Sequence, residues 1–421
     1  MSNKLLNLAQ RTESDRQRGV YSVCSAHPIV IEAALLQALE DDTELLIEAT
    51  CNQVNQFGGY TGMQPADFVR FVISIAERVN FPAEKIIFGG DHLGPNPWRD
   101  KPAAEAMALA KDLLRAYAQA GFSKLHLDAS MRCADDPSLL SDTVIAERAA
   151  ILCQAAEQVA PSVAVYVIGT EVPVPGGAIE DLSHIQVTSR DAAQLTLDIH
   201  KAAFASLGLE SAWERVIALV VQPGVEFDHT QVVDYQPKDA AQLSAFQKSQ
   251  SKIVFEAHST DYQRADSLAK LVEDGFAILK VGPGLTYAMR EALYALECIE
   301  REFYGEAECS NLRKVVEDEM LSSPKDWASY YSGTTEHLAR MRVFSYSDRI
   351  RYYWGRPKVS AALDNLLHNL SKIDIPENLV GQYLPLQYSA YRSGVCTLRA
   401  EELLLHSVRE AIRPYAHACA V

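Results

Sequence analysis

The sequence predicts an α/β fold: a TIM-type (β/α)8 barrel over residues 1–302, followed by a mostly helical C-terminal extension over 303–421. Short apolar, β-branched runs alternate with amphipathic stretches whose apolar residues recur at three- and four-residue spacing. Eight such runs and eight helical stretches fit into about 285 residues, the count of an eight-fold barrel. No G-x-G-x-x-G follows the first run and no G-K-[ST] occurs anywhere. The motifs of a doubly wound nucleotide-binding sheet are thus missing, and no nucleotide cofactor is expected.

In chain order, the expected strands are Gly19–Cys24, Glu44–Ala49, Lys85–Phe88, Lys124–Asp128, Ala164–Ile168, Val216–Val221, Lys252–Glu256 and Ala277–Val281. The clearest helices between them are Pro65–Val79 and Ala103–Ala120; Asp142–Val159, Arg190–Ser206, Ala240–Ser249, Tyr262–Glu273 and Leu285–Phe303 continue the series. Pro65 with Asp67, and Ser141 with Asp142, are ordinary helix-start signals. Beyond residue 303, helices are expected at Glu317–Tyr331, His337–Trp354, Val359–Leu370 and Ala400–Ala418, with prolines at 324, 357, 376, 385 and 414 as breaks. Runs such as FSYSDRIRYYW are too apolar for disorder, so the extension is expected to pack on the barrel or on a partner.

Composition narrows the function. With 48% hydrophobic and 22% charged residues, the 421-residue chain has ordinary globular composition. A net charge of −16 argues against nucleic acid and anionic lipid surfaces as partners, though not against a small anionic substrate. The eight cysteines are scattered without a C-x-x-C pair, which argues against a zinc finger or disulfide scaffold and for a reducing, cytoplasmic setting. No apolar leader core opens the sequence, and no run approaches the roughly 18 apolar residues of a membrane span.

In such barrels chemistry gathers at the carboxyl ends of the strands. Those ends carry Ser25 and His27; Glu48, Thr50 and Asn52; Asp91 and His92 within IIFGGDHLGPNPW; Asp128 and Ser130; Thr170 and Glu171; Glu226, Asp228 and His229; His258, Ser259, Thr260 and Asp261; and Lys280, Gly282 and Gly284. His92, Glu171, His229 and His258, on four different turns, suit zinc or another divalent metal, which would polarise a carbonyl or stabilise an enediolate. Asp91 and Asp128 are the expected catalytic carboxylates, for proton transfer or, in the case of Asp128, for orienting a metal-bound imidazole. Ser259, Thr260, Lys280 and Gly282 lie where barrels bind phosphate on exposed N–H groups, and Glu48 joins them as a substrate-side residue. Blander roles stand beside these: Asp128 as a helix cap, Lys280 as the ion-pair partner of Glu256, and Arg349–Trp354 as helix packing. The polar loop CNQVNQFGGYTG (51–62) reads as a lid or a subunit contact.

YSVCSAHP (21–28), EATCNQVNQFGGYTGM (48–63), GGDHLGPN (89–96), HLDASM (126–131), YVIGTEVPVPGG (166–177), VVQPGVEFDHT (220–230), EAHSTDYQ (256–263) and LKVGP (279–283) together resemble the GatZ/KbaZ family, as do SDRIRYYW (347–354) and QYLPLQY (382–388). Members of that family are accessory subunits of class II D-tagatose-1,6-bisphosphate aldolase in galactitol and N-acetylgalactosamine catabolism. The resemblance implies a non-catalytic, chaperone-like subunit that supports the stability and activity of a GatY- or KbaY-type catalytic partner in the cytosol. More distantly, the chain is similar to class II fructose-bisphosphate aldolases, in which an Asp-His pair and later histidines serve zinc and proton transfer. Asp91–His92, His229 and His258 stand in the corresponding order, with Glu171 between them. Two departures stand out: Ser259–Thr260–Asp261–Tyr262 replaces the expected glycine-rich phosphate loop, and Gly282–Pro283–Gly284 replaces an Asn-x-Asp-Thr run. The accessory role is therefore the leading expectation. The alternative is a metal-dependent 4-epimerase or aldolase acting on a ketohexose or its phosphate by retro-aldol chemistry. A tagatose-6-phosphate kinase label carried by some members finds no nucleotide-cradling loop here.

Overall fold

The computed structural model describes residues 5–9, 18–172, 182 and 185–419. Among them the strands are β1 (Val20–Cys24), β2 (Leu45–Thr50), β3 (Ile86–Leu93), β4 (Lys124–Leu127), β5 (Val165–Ile168), β6 (Val216–Val221), β7 (Glu226–Phe227), β8 (Val232–Val233), β9 (Val254–Ala257) and β10 (Ile278–Val281). Eight parallel strands close a barrel in the order β1-β10-β9-β6-β5-β4-β3-β2, and β7 and β8 form a small antiparallel ribbon after β6. The fold class expected from the sequence is the one found. β3 is longer than expected, because pairing resumes past a bulge between Gly90 and Leu93 and carries Asp91 and His92 within the strand.

The helices are α1 (Leu5–Ala9), α2 (Pro28–Glu40), α3 (Pro65–Arg78), α4 (Ala103–Gln119), α5 (Asp142–Glu157), α6 (Arg190–Ser206), α7 (Glu210–Trp213), α8 (Ala241–Ser249), α9 (Ala265–Glu273) and α10 (Pro283–Glu300). Caps fix several starts: Ser141 accepts from Val144 N ahead of α5, Ser189 accepts from Ala192 N ahead of α6, and proline opens α2, α3 and α10. α9 begins three residues later than expected, because Tyr262 takes a left-handed φ of 66°.

The extension forms α11 (Leu312–Ser322), α12 (Thr335–Phe344), α13 (Pro357–Leu370), α14 (Glu377–Tyr383), α15 (Pro385–Arg392) and α16 (Ala400–Cys419). It packs on the barrel. α16 lies over α2, α9 and α10 and buries Leu403, Leu404, Val408 and Ile412, each contributing about 1.5–3 kcal/mol. This explains why α2 shows no amphipathic stripe: strands cover one side of it and α16 the other, so Val30, Ile31, Ala33, Ala34, Leu35 and Ala38 are all buried. The expected helices 317–331 and 337–354 are shorter and interrupted, ending at Ser322 and Phe344, with single turns at Pro324–Asp326 and Arg349–Tyr352. Among the described residues no helix is long and apolar enough to cross a membrane.

The barrel interior is layered by the two-residue period of its strands. Leu46, Ile87, Val254 and Ile278 form an apolar layer with Leu5 and Ala9 of α1. Two residues further along the same strands stand Glu48, Gly89, Glu256 and Lys280, where the interior becomes charged.

Candidate functional site

Lys124, His126 and Asp128 alternate along β4 and its end, so all three share one side of the chain. Glu48, Gly89 and Lys124 are register partners across β2, β3 and β4. A Cβ at Gly89 would come within 2.6 Å of Glu48 Oε1, so only glycine leaves room for Lys124 to reach across β3. Lys124 Nζ lies 2.6 Å from Glu48 Oε1 and 2.7 Å from Glu256 Oε2. Lys280 Nζ bonds Glu48 Oε2 and lies 2.9 Å from Asp91 Oδ1. Gly94 serves the same tight packing one turn on: a Cβ there would fall 1.6 Å from the Asp128 carbonyl oxygen.

Above this layer stand three imidazoles. The His92 and His126 rings are 5.2 Å apart, His92 and His258 4.9 Å, and His126 and His258 5.2 Å. Three imidazoles sharing one tetrahedral ion have ring centres roughly 5 Å apart. His92 Nδ1 is 2.8 Å from Asp128 Oδ2, and Asp128 Oδ1 accepts from Ser130 N and Oγ. His126 Nδ1 is 3.0 Å from Asp91 Oδ1, and His258 Nε2 is 2.9 Å from Glu256 Oε1. Among the described residues, His126 Nε2 is buried without a hydrogen-bond partner. Asp91, His126, Glu256 and His258 each offer a donor atom within 4.8 Å of the others. His92 and Ser259 hold left-handed backbones, φ 48° and 54°, and such strain persists only where the surroundings enforce it.

The charges favour a cation. Burial raises the Glu256 carboxyl, but Lys124 and His258 hold it at about 2, and Asp91 and Asp128 are likewise held well below the usual carboxylate range by their histidines. Burial lowers Lys280 to about 8, still charged at neutral pH, and also lowers His258. Four carboxylates (Glu48, Asp91, Asp128, Glu256) against two ammonium groups (Lys124, Lys280) leave two negative charges in a buried cluster. A proton on His92, whose affinity Asp91 and Asp128 raise to about 9 against the effect of burial, offsets one of them. A divalent cation would offset both. The residues present fit a divalent metal.

Over the cluster lies a cavity of about 910 Å³, floored by Asp91, His92, His258 and Lys280. Its walls include Asn52, Tyr60 and Thr61 from the loop after β2, and Lys325, Arg351, Tyr352 and Trp354 from the extension. The Tyr60 and Tyr352 rings meet edge-on at 4.8 Å, joining loop to extension. The loop 51–62 thus closes over the chain's own barrel. Arg351, Tyr352 and Trp354, expected to be packing residues, face this cavity instead.

Of the residues expected from the sequence, the fold brings together Glu48, Asp91, His92, Asp128, His258 and Lys280, with Ser259 and Gly282 on the cavity wall. Two expected metal ligands stand elsewhere. Glu171 is exposed and accepts from Thr188 Oγ1 at 2.6 Å, and the rest of its motif, 173–177, lies outside the described residues. His229 sits in the turn between β7 and β8, which carries it onto the extension: Nε2 meets the Tyr330 carbonyl at 3.0 Å, and Nδ1 meets Ser345 and Ser347 hydroxyls. Thr260 is also withdrawn from substrate, since its buried hydroxyl donates to the Lys280 carbonyl at 2.6 Å. Glu48 lies beneath the cavity and is consumed by the two lysines. Their places are taken by His126, Glu256 and Lys124, which the period-two pattern of KLHLD and VFEAH would have revealed had strand interiors been read along with strand ends.

A family model described as D-tagatose-1,6-bisphosphate aldolase subunit GatZ/KbaZ-like matches residues 5–420. Among solved structures, a probable tagatose 6 phosphate kinase from Sinorhizobium meliloti 1021 is similar at 50% identity and TM-score 0.89, covering 96% of this chain and 100% of that one. A glycerol complex of the fructuronate-tagaturonate epimerase UxaE from Cohnella laeviribosi shares the fold at 12% identity and TM-score 0.50, over 96% of this chain and 81% of that one. The YdjI aldolase from Escherichia coli K12 matches at 12% identity and TM-score 0.43, over 84% and 94%.

Proposed function

The chain belongs to the GatZ/KbaZ-like family of D-tagatose-1,6-bisphosphate aldolase subunits, and from that premise we propose that its own barrel mouth binds a divalent cation, zinc first, with a ketohexose phosphate of the tagatose type, and supports retro-aldol chemistry there. The observation carrying this reading is the buried group His126, Glu256 and His258 with Asp91 beside them, of which Asp91 and His258 line the cavity above.

His126, His258 and Glu256, with His92 beside them, are the residues that would hold the metal. When bound, it supplies Lewis-acid polarisation of a ketose carbonyl. Asp91 is the proton carrier: Oδ1 is engaged by Lys280 and His126, while Oδ2 has His92 Nε2 at 3.7 Å and is left to take the proton from the substrate's C4 hydroxyl. As that proton leaves, the C3–C4 bond breaks to an aldehyde and a three-carbon carbanion equivalent. Return of the carbanion to the other face of the aldehyde, with Asp91 giving the proton back to the C4 oxygen, inverts C4, whereas transfer of that proton to the carbanion and release of both fragments completes an aldolase reaction. Asp128 fixes the His92 ring, and the Tyr60–Tyr352 contact limits water. Purified chain should take up about one metal per chain and interconvert tagatose and fructose phosphates. Chelation or His258→Ala should cut turnover by about 10³-fold or more, a transition-state loss of about 4 kcal/mol. A chain that takes up no metal and is inert on these phosphates retires the proposal.

The second reading, an accessory subunit of a GatY- or KbaY-type catalytic chain in galactitol or N-acetylgalactosamine catabolism, is supported by the family description and by apolar Leu386 and Val395, exposed on the extension at 63% and 56%. It predicts a longer-lived, more active catalytic subunit in the presence of this chain, with His258→Ala still supporting it. Equal lifetime and activity without the chain would end that reading.

A further inference from the structure

We infer that the substrate carries a single phosphate, held by Arg351 of the C-terminal extension with help from Lys325, because the phosphate cradle of the barrel is closed by Asp261. This inference rests on the proposed function and adds the residues that read the substrate's anionic end.

In (β/α)8 barrels phosphate commonly lies on the loops after the seventh and eighth strands, bound by backbone N–H groups at a helix start. Here those strands are β9 and β10. The N–H groups of Gly282 and Gly284 both donate to Asp261 Oδ1, at 2.9 and 2.7 Å. Asp261 is buried, and a phosphate entering this turn would meet its carboxylate. The neighbouring donors are spent as well: the Thr260 hydroxyl on the Lys280 carbonyl, and the Lys280 ammonium on Glu48 and Asp91. The donors of this turn that a phosphate would use are thus already engaged.

The opposite situation holds in the extension. Arg351 lines the cavity, half-buried, and its guanidinium is held by neutral groups: the carbonyls of Ser347 and Asp348 and the hydroxyl of Tyr352. Among the described residues no carboxylate stands within 4 Å of its nitrogens. Its guanidinium carbon lies 4.6 Å from the centre of the Tyr352 ring. Lys325, exposed on the same cavity, forms no ion pair among the described residues either. Arg356, also on the wall, is different, since Glu319 and Asp326 already face it at 3.6 Å. Asp348 and Asp261 act on Arg351 only from beyond ion-pair distance, so its guanidinium is not bonded to a carboxylate and its planar fork remains suited to phosphate oxygens. A 1,6-bisphosphate would have to place its second phosphate without the cradle, so a ketohexose monophosphate is the substrate class that fits.

Calorimetric titration of the full chain, with and without metal, tests this with inorganic phosphate, D-tagatose, D-tagatose 6-phosphate and D-tagatose 1,6-bisphosphate as probes. Arg351→Met should weaken the 6-phosphate about 10- to 100-fold, leave D-tagatose within about twofold, and be partly rescued in Arg351→Lys. Lys325→Met, at an exposed position, should weaken it about 3-fold and carries the test if Arg351→Met does not fold. Unchanged 6-phosphate affinity in the folded variants, or a bisphosphate bound more than about 10-fold tighter than the monophosphate, would overturn the inference. A metal-free, inert chain that still binds phosphate through Arg351 would sink the proposed reaction and keep this site. An active enzyme indifferent to Arg351→Met would do the reverse.

Discussion

The floor and the roof of the barrel mouth are built by opposite rules. The floor is made of strand residues: four carboxylates, two lysines and three histidines, nearly all with a charged or imidazole partner within hydrogen-bond distance and almost none reached by water. The roof comes from the extension and the loop after β2, and is aromatic and basic, with Arg351 and Lys325 in no ion pair among the described residues. A cluster whose groups are engaged with one another and whose net charge is negative can hold a cation and move a proton, but has nothing left over for a substrate's phosphate. Unanswered charge over aromatic rings can do that, and contributes little to holding the barrel together. Reaction and recognition are thereby assigned to different parts of the chain.

The largest expected effect breaks the floor. Lys124 bridges Glu48 and Glu256 in full burial, so Lys124→Met strands two carboxylates and should destabilise the protein by about 3–5 kcal/mol, read as a lower urea midpoint. The roof variant Arg351→Met should move that midpoint far less; equal losses would erase the contrast. A smaller effect sharpens it. Asp128→Asn keeps the shape but weakens the hold on the His92 ring, and should lower metal affinity about 10- to 100-fold while leaving inorganic phosphate binding unchanged. A last, pH-gated effect marks what belongs to neither region. His200, buried on α6 with its Nδ1 on the Thr196 carbonyl, is held neutral by burial, its pKa down to about 4. Unfolded, it takes a proton from about pH 6.5 downward while the folded chain does not, so stability is lost as pH falls from about 6.5 and levels off near 4. The slope is about 1 kcal/mol per pH unit, and His200→Leu should flatten that limb of the stability curve in urea titrations at pH 5 and 7.

The barrel was legible in the sequence because each βα unit repeats the same local pattern, and strand and helix positions follow from periodicity alone. The floor was half legible. Asp91 and His92 close β3 and His258 follows β9, so all three were found by looking at strand ends, whereas His126, Glu256 and Lys124 lie further inside the barrel and become visible only when alternate residues are followed into it. Glu171 and His229 also follow strands, but the turn between β7 and β8 carries His229 onto Tyr330 and Ser345. No local pattern reports such a displacement. The roof was illegible for a related reason: Arg349–Trp354 has the composition of any packed turn, and only the path of the extension over the mouth gives Arg351 its place. α2 is a third case, since its uniform apolarity makes sense only once α16 lies over it.

That covering has a consequence for how the protein comes to be made. Gly19 N reaches the Cys419 carbonyl at 3.3 Å, Arg409 reaches Gln37, and Tyr415 reaches Thr260, so the first strand and a helix some four hundred residues later complete one another. During synthesis the outer faces of α2, α9 and α10 therefore stay bare until the ribosome has released α16, and the nascent barrel spends that interval with a greasy flank exposed to neighbouring chains.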